Sequence, residues 1–156
     1  MFYCLRQYDR AIEQFQKIIQ MDPNSALAHT RLGMNYLEKG MYEEAITEHK
    51  KAIALDNSPG RTALLGHAYA VAGRKAEAQK ILDDLKELAK QRPVSPFDFA
   101  LVYMGLGDKD QAFVWLEKTF EERPDILWDI KVGPRFDSLR SDPRFTDLLR
   151  RLKLAA

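Results

Sequence analysis

Apolar residues along this chain recur at spacings of three and four over several turns, stop at a short glycine-containing break, and then resume in the same rhythm. That period puts them on one face of an α-helix, and so brief a break folds the second run back against the first. The clearest unit predicts a helix from about Ala26 to Lys39, with Leu32, Tyr36 and Leu37 toward one side. It stops at Gly40, a residue suited to the left-handed conformation that follows many helices. A second helix is expected from about Tyr42 to Leu55.

The pattern repeats. Ala11, Ala45, Ala78 and Ala112 fall 33 or 34 residues apart, and Phe2, Tyr36, Tyr69 and Tyr103 keep the same step. So do Gly40, Gly73 and Gly107, and so do Phe15, His49, Leu82 and Leu116. Leu32-Gly33 returns as Leu65-Gly66 and, weakened, as Phe99-Ala100. Such a period marks stacked two-helix units, none of which can bury its apolar face alone. Gly33 and Ala45 are small where the two helices of a hairpin must approach closely. The expected fold is therefore all-α: a right-handed α-solenoid of about three and a half hairpins over residues 1–124. Its units are a partial 1–25, then 26–58, 59–92 and 93–124, with a capping segment at 125–156.

The stretches LGMNYLEKGMYEEAITEHKKAIALD and YDRAIEQFQKIIQMDPNS resemble the tetratricopeptide repeat family, and the likeness extends over about residues 1–124. Asn57 and Lys90 stand where that family usually has proline, and His49 replaces an aromatic residue. The second helix of the third unit is expected to run on to about Gln91. In this register Met1 falls within a first helix, which implies a fragment or a module with repeats upstream. The resemblance implies a binding scaffold, with a concave groove lined by the first helix of each pair. Carried over one by one, the groove positions are Tyr3 and Cys4; Leu27, Thr30, Met34 and Leu37, with Glu38 at the edge; Ala63, His67, Ala70 and Val71; and Val94, Phe97, Leu101 and Met104. Met and Phe anchors separated by small alanines suit a peptide or amphipathic helix. The competing expectation is that the chain's own tail or neighbouring repeats cover some of these side chains. Family members that grip terminal carboxylates use Lys, Asn and Arg where this chain has Thr30, Met34, Ala63 and His67, so that mode of binding is not expected.

After Pro124 the period ends. Asp142-Pro143 signals a helix start, and Phe145, Leu148, Leu149 and Leu152 form an apolar stripe suited to covering the last hairpin. GLGDKDQAFVWLEKTFEERPDIL and VGPRFDSLRSDPRFTDLL resemble the ends of tetratricopeptide arrays in bacterial multidomain signalling proteins. That likeness implies a regulatory module of a larger signalling enzyme or transcription regulator. From Lys131 onward seven basic residues face three acidic ones. No aromatic platform accompanies them, so a solvated helix face is expected.

Composition narrows the chemistry. The chain has 156 residues, 24 basic and 23 acidic, with a net charge of +1, so no global field attracts nucleic acid or an anionic membrane. Its longest apolar stretch, about Ala63 to Ala72, is too short to cross a bilayer. Partners are expected to be proteins or peptides rather than nucleic acid or membrane. A homo-oligomer through the truncated N-terminal end is the assembly alternative, and the cytoplasm is the expected compartment. Cys4 is the sole cysteine. GLGDKD at Gly105 lacks the third glycine of a dinucleotide fingerprint, and GRTALLGH at Gly60 lacks the Lys-Ser/Thr of a phosphate loop. His29, His49 and His67 have neither HExxH spacing nor cysteine company, and His49 falls at a core position. No enzyme activity, cofactor or metal is expected.

Overall fold

The helix stops have local causes. The computed structural model describes residues 5–154. Its α-helices are α1 (Tyr8–Met21), α2 (Ala26–Glu38), α3 (Tyr42–Leu55), α4 (Pro59–Val71), α5 (Lys75–Ala89), α6 (Pro96–Leu106), α7 (Lys109–Glu122) and α8 (Pro143–Arg151). Gly40, Gly73 and Gly107 take φ of +74°, +80° and +74°, a left-handed backbone that a side chain would strain. Each lets the next amide turn back to a tyrosine carbonyl: Met41 to Tyr36 at 2.9 Å, Arg74 to Tyr69 at 2.8 Å and Asp108 to Tyr103 at 3.1 Å. The glycine and tyrosine columns are thus two halves of one cap. At helix starts, Ser25, Ser95, Asp108 and Asp142 accept backbone amides through their side chains. Helix α5 ends at Ala89 rather than near Gln91, because the amides of Lys90 and Gln91 bond to carbonyls only three residues back and tighten the turn.

Helices α2 and α3, α4 and α5, and α6 and α7 pair as hairpins, and α1 lies against α2. The first helices α2, α4 and α6 run side by side. The chain is an all-α solenoid of stacked hairpins. Small residues set the spacing: a Cβ on Gly66 would come within 2.7 Å of Ile81 on α5 and 2.9 Å of Val102 on α6. In the column shared with Phe15, His49, Leu82 and Leu116 are sealed in the core, whereas Phe15 is half-buried. Among the described residues no helix is long and apolar enough to cross a membrane.

Two 3-10 turns, Pro124–Leu127 and Pro134–Leu139, lead from α7 to α8. The second packs on α6. Its Phe136 is fully buried between Phe97 on α6, with ring centroids 6.1 Å apart, and Phe145 on α8, at 6.5 Å. Helix α8 is tied to α7 by Arg144 to Asp110 at 2.8 Å and Arg151 to Glu117 at 2.5 Å. Each guanidinium also lies over an α7 ring, Arg144 over Phe113 and Arg151 over Phe120.

Candidate functional site

The first-helix face of this solenoid is not empty. Residues 129–140 cross it as a strap. Arg135 lies over the Phe97 ring at 4.9 Å and the Phe136 ring at 5.2 Å, and donates to both carboxylate oxygens of Asp129 at 2.7 and 2.9 Å. The side chains of that pair are 14% and 4% exposed, so it is shielded from water. Asp129 also accounts for Gly133, since a Cβ there would sit 2.9 Å from its carboxylate and 3.0 Å from its carbonyl. Arg140 donates to the carbonyls of Lys131 and Gly133, bracing the turn from within. Farther along, Asp137 pairs with Arg6 at 2.8 Å, joining the strap to the segment before α1.

Against this frame the sequence-derived groove positions divide. Tyr3 and Cys4 lie outside the described residues. Leu27 is 58% exposed on α2. Thr30, Met34, Leu37, Ala63, His67, Ala70, Phe97, Leu101 and Met104 are all buried. Their burial has different sources. Thr30 turns its hydroxyl back to the Ala26 carbonyl at 2.7 Å. His67 and Ala70 meet α6 directly, for a Cβ on Gly105 would come within 2.9 Å of both; with Ala63 they form a seam at helical spacing. Met34, Leu37, His67 and Leu101 surround a small space closed by Arg135. The strap and the neighbouring helix therefore cover much of what the repeat register places in the groove.

What stays open is Leu27 with the exposed Arg31 one turn on, and a cleft of about 430 Å³ at the C-terminal ends of the first helices. Leu37, Glu38, Val71, Met104, Pro134 and Ser138 line the cleft, and Val71 is 38% exposed. Cover by the chain's own tail was the competing expectation, but that Arg135 and Phe136 would supply it was not legible in the sequence.

The histidines are engaged or sealed. His67 Nδ1 donates to the Leu101 carbonyl at 2.8 Å. Burial, helped by the Arg135 charge and opposed by that hydrogen bond, pushes its pKa down to about 4. His67 is thus neutral at neutral pH, and its charge change lies on the acid side. Burial, with a further contribution from His67, likewise lowers His49 to about 4. His29 bridges Glu48 at 2.5 Å and the Pro23 carbonyl at 2.9 Å, so neither ring nitrogen is open to a substrate. Beside it, a groove of about 440 Å³ runs between α1 and α3 over α2, lined partly by Gln16, Tyr36 and Lys51. Asp98, buried opposite Gly60 at the start of α6, is pushed up to about 6 by desolvation, which a hydrogen bond from the Ser95 backbone partly offsets. Among the described residues no three His, Cys, Asp or Glu side chains gather as a metal site.

The tetratricopeptide repeat family model matches residues 5–54 and 36–96, together more than half of the chain. The chain belongs to the tetratricopeptide repeat family. It is also 32% identical over 74 residues to the small glutamine-rich tetratricopeptide repeat-containing protein 2 of Mycosarcoma maydis. That similarity covers 47% of this chain and 21% of the relative, so the chain spans about a fifth of that protein's length. The family match ends before most of α6, yet α6 and α7 carry the same tyrosine, glycine and alanine columns at Tyr103, Gly107 and Ala112. Membership supports a role in protein–protein interaction.

Proposed function

We propose that this chain is a protein-interaction scaffold that receives a peptide or amphipathic helix on the part of the first-helix face left open by its strap. The open part runs from Leu27 and Arg31 on α2 to the cleft beside Val71, Met104 and Ser138. The supporting observation is the asymmetry of that face. Its α6 side is filled by Arg135 and Phe136, while Leu27 and Val71 remain exposed apolar side chains and Val71 borders the open cleft. Thr30, Met34, Leu37, Ala63, His67, Ala70, Phe97, Leu101 and Met104 then act mainly as the floor and walls that shape the strip.

The test is a crosslinking pull-down from native extract that compares the intact chain with Leu27→Glu and Val71→Glu. Both positions are exposed, so the charges leave the fold intact and repel an apolar ligand. Partners lost with both variants support the strip, and an unchanged partner set moves binding elsewhere. A second reading rests on the α1 end, where Ile18 is 40% and Met21 84% exposed and Phe15 is half-buried. That end would take another copy of the chain, which a concentration-dependent rise in sedimentation mass would reveal. The tail's resemblance supports a place within a larger bacterial signalling protein, a proposal the parent reading frame tests directly.

A further inference from the structure

A small space behind the strap combines apolar walls from Met34, Leu64 and Leu101 with polar groups from His49, His67 and Arg135. It measures about 10 Å³, the least that holds a single water. The polar groups come from three separate parts of the fold: His49 from α3, His67 from α4 and Arg135 from the strap. His49 is 1% exposed, and neither of its ring nitrogens has a protein partner. Arg135 Nε is buried without a partner as well, because Asp129 takes only the terminal nitrogen. A buried polar atom left unpaired loses its hydration with nothing in return, so two such groups beside one space call for an occupant.

We propose that a single ordered water sits there and bridges His49, His67 and Arg135. Around the water the donors and acceptors match, while the second His49 ring nitrogen, which carries the proton of the neutral imidazole, stays without a partner. The Leu101 carbonyl can only accept, so His67 carries its proton on Nδ1 and leaves Nε2 as an acceptor. Arg135 Nε can only donate. A water that accepts from Arg135 and donates to His67 retains one hydrogen for a His49 nitrogen, giving it three partners, the usual number for a buried water. The guanidinium disfavours a cation, and the volume excludes larger ligands. Such a water fastens the strap to His49 in the core of the α2–α3 hairpin.

An atomic-resolution crystal structure of the whole chain tests this directly. The expected result is one peak within hydrogen-bonding distance of a His49 nitrogen, Arg135 Nε and His67 Nε2. A dry space, or a His49 nitrogen bonded to a protein group instead, overturns the proposal. In solution, a water cross-peak to the His67 ring is expected and should disappear in His49→Leu, which installs the side chain found at Leu82 and Leu116 in the same column. A cross-peak that survives His49→Leu shows that His49 does not hold the water and overturns the bridge.

Discussion

Replacing Phe136 by alanine separates a strap that is part of the core from one that merely lies on it. The ring is fully buried, with Phe97 on one side, Phe145 on the other and the Arg135 guanidinium 5.2 Å from its centroid. Removing a buried phenyl ring typically costs about 3–5 kcal/mol, through lost transfer energy and the cavity left behind. Here the loss also removes one wall of the Arg135 site, so the upper half of that range is expected. For a chain of this size that is a fall in Tm on the order of 10 °C. Because each hairpin of a solenoid contacts mainly its neighbours, the loss should concentrate in the strap, α8 and α6. Denaturant unfolding followed by tryptophan fluorescence gives the magnitude, and amide exchange of residues 126–142 gives the location. Leu27→Ala serves as the exposed control and should shift stability by less than about 0.5 kcal/mol. A Phe136→Ala protein within 1 kcal/mol of the parent, with unchanged exchange in the strap, would refute the claim that Phe136 is a core residue.

The remaining expectations follow from the same contacts. Gly66→Ala should cost about 1–3 kcal/mol in a thermal melt, because the new methyl meets Ile81 at 2.7 Å and Val102 at 2.9 Å on two different helices. His49 and His67, held near 4 in the fold against 6.5 when free, bind fewer protons folded than unfolded. Their contribution is therefore complete above about pH 6.5 and is lost as pH falls toward 4, a slope that His49→Leu should reduce in denaturant midpoints measured across that window. Asp98 acts in the opposite sense: its carboxyl is raised from 3.8 to about 6, so it destabilises the fold increasingly as pH rises through that range. Asp98→Asn, which keeps the shape, should raise stability at neutral pH and steepen the loss on acidification. Arg6→Ala breaks a pair whose side chains are 52% and 40% exposed and should leave the melting temperature nearly unchanged, with faster amide exchange around Asp137 as its main signature.

The hairpins were legible because their determinants are local and repeated. A glycine at positive φ, a tyrosine carbonyl receiving the amide beyond it, and a small residue at each helix crossing recur every 33 or 34 residues, so each column reinforces the others. Periodicity was less informative about which residues face solvent. Ala63, His67 and Ala70 lie at the spacing of a groove-facing stripe, but the same spacing also describes the seam where α4 meets α6. The strap was the least legible part. Its conformation comes from 3-10 turns and single contacts, such as Arg135 with Asp129 and Gly133 against the Asp129 backbone, none of which leaves a periodic trace. Substituting Met34 by Glu illustrates the cost of reading the stripe alone: Met34 is only 6% exposed, so that variant would test stability before binding.

The tie between Arg6 and Asp137 also has a mechanical meaning. A stack of hairpins in which each touches its neighbours behaves as a coil spring, lengthening by small rotations at every joint. Here a brace runs from the strap at the far end of the coil to the segment ahead of its first helix. Tension applied across the repeats must load this brace, and because the pair is exposed it should part at low force, before any hairpin opens. An added salt that screens the pair should lower the force of that first event while leaving the later, hairpin-by-hairpin extension nearly unchanged.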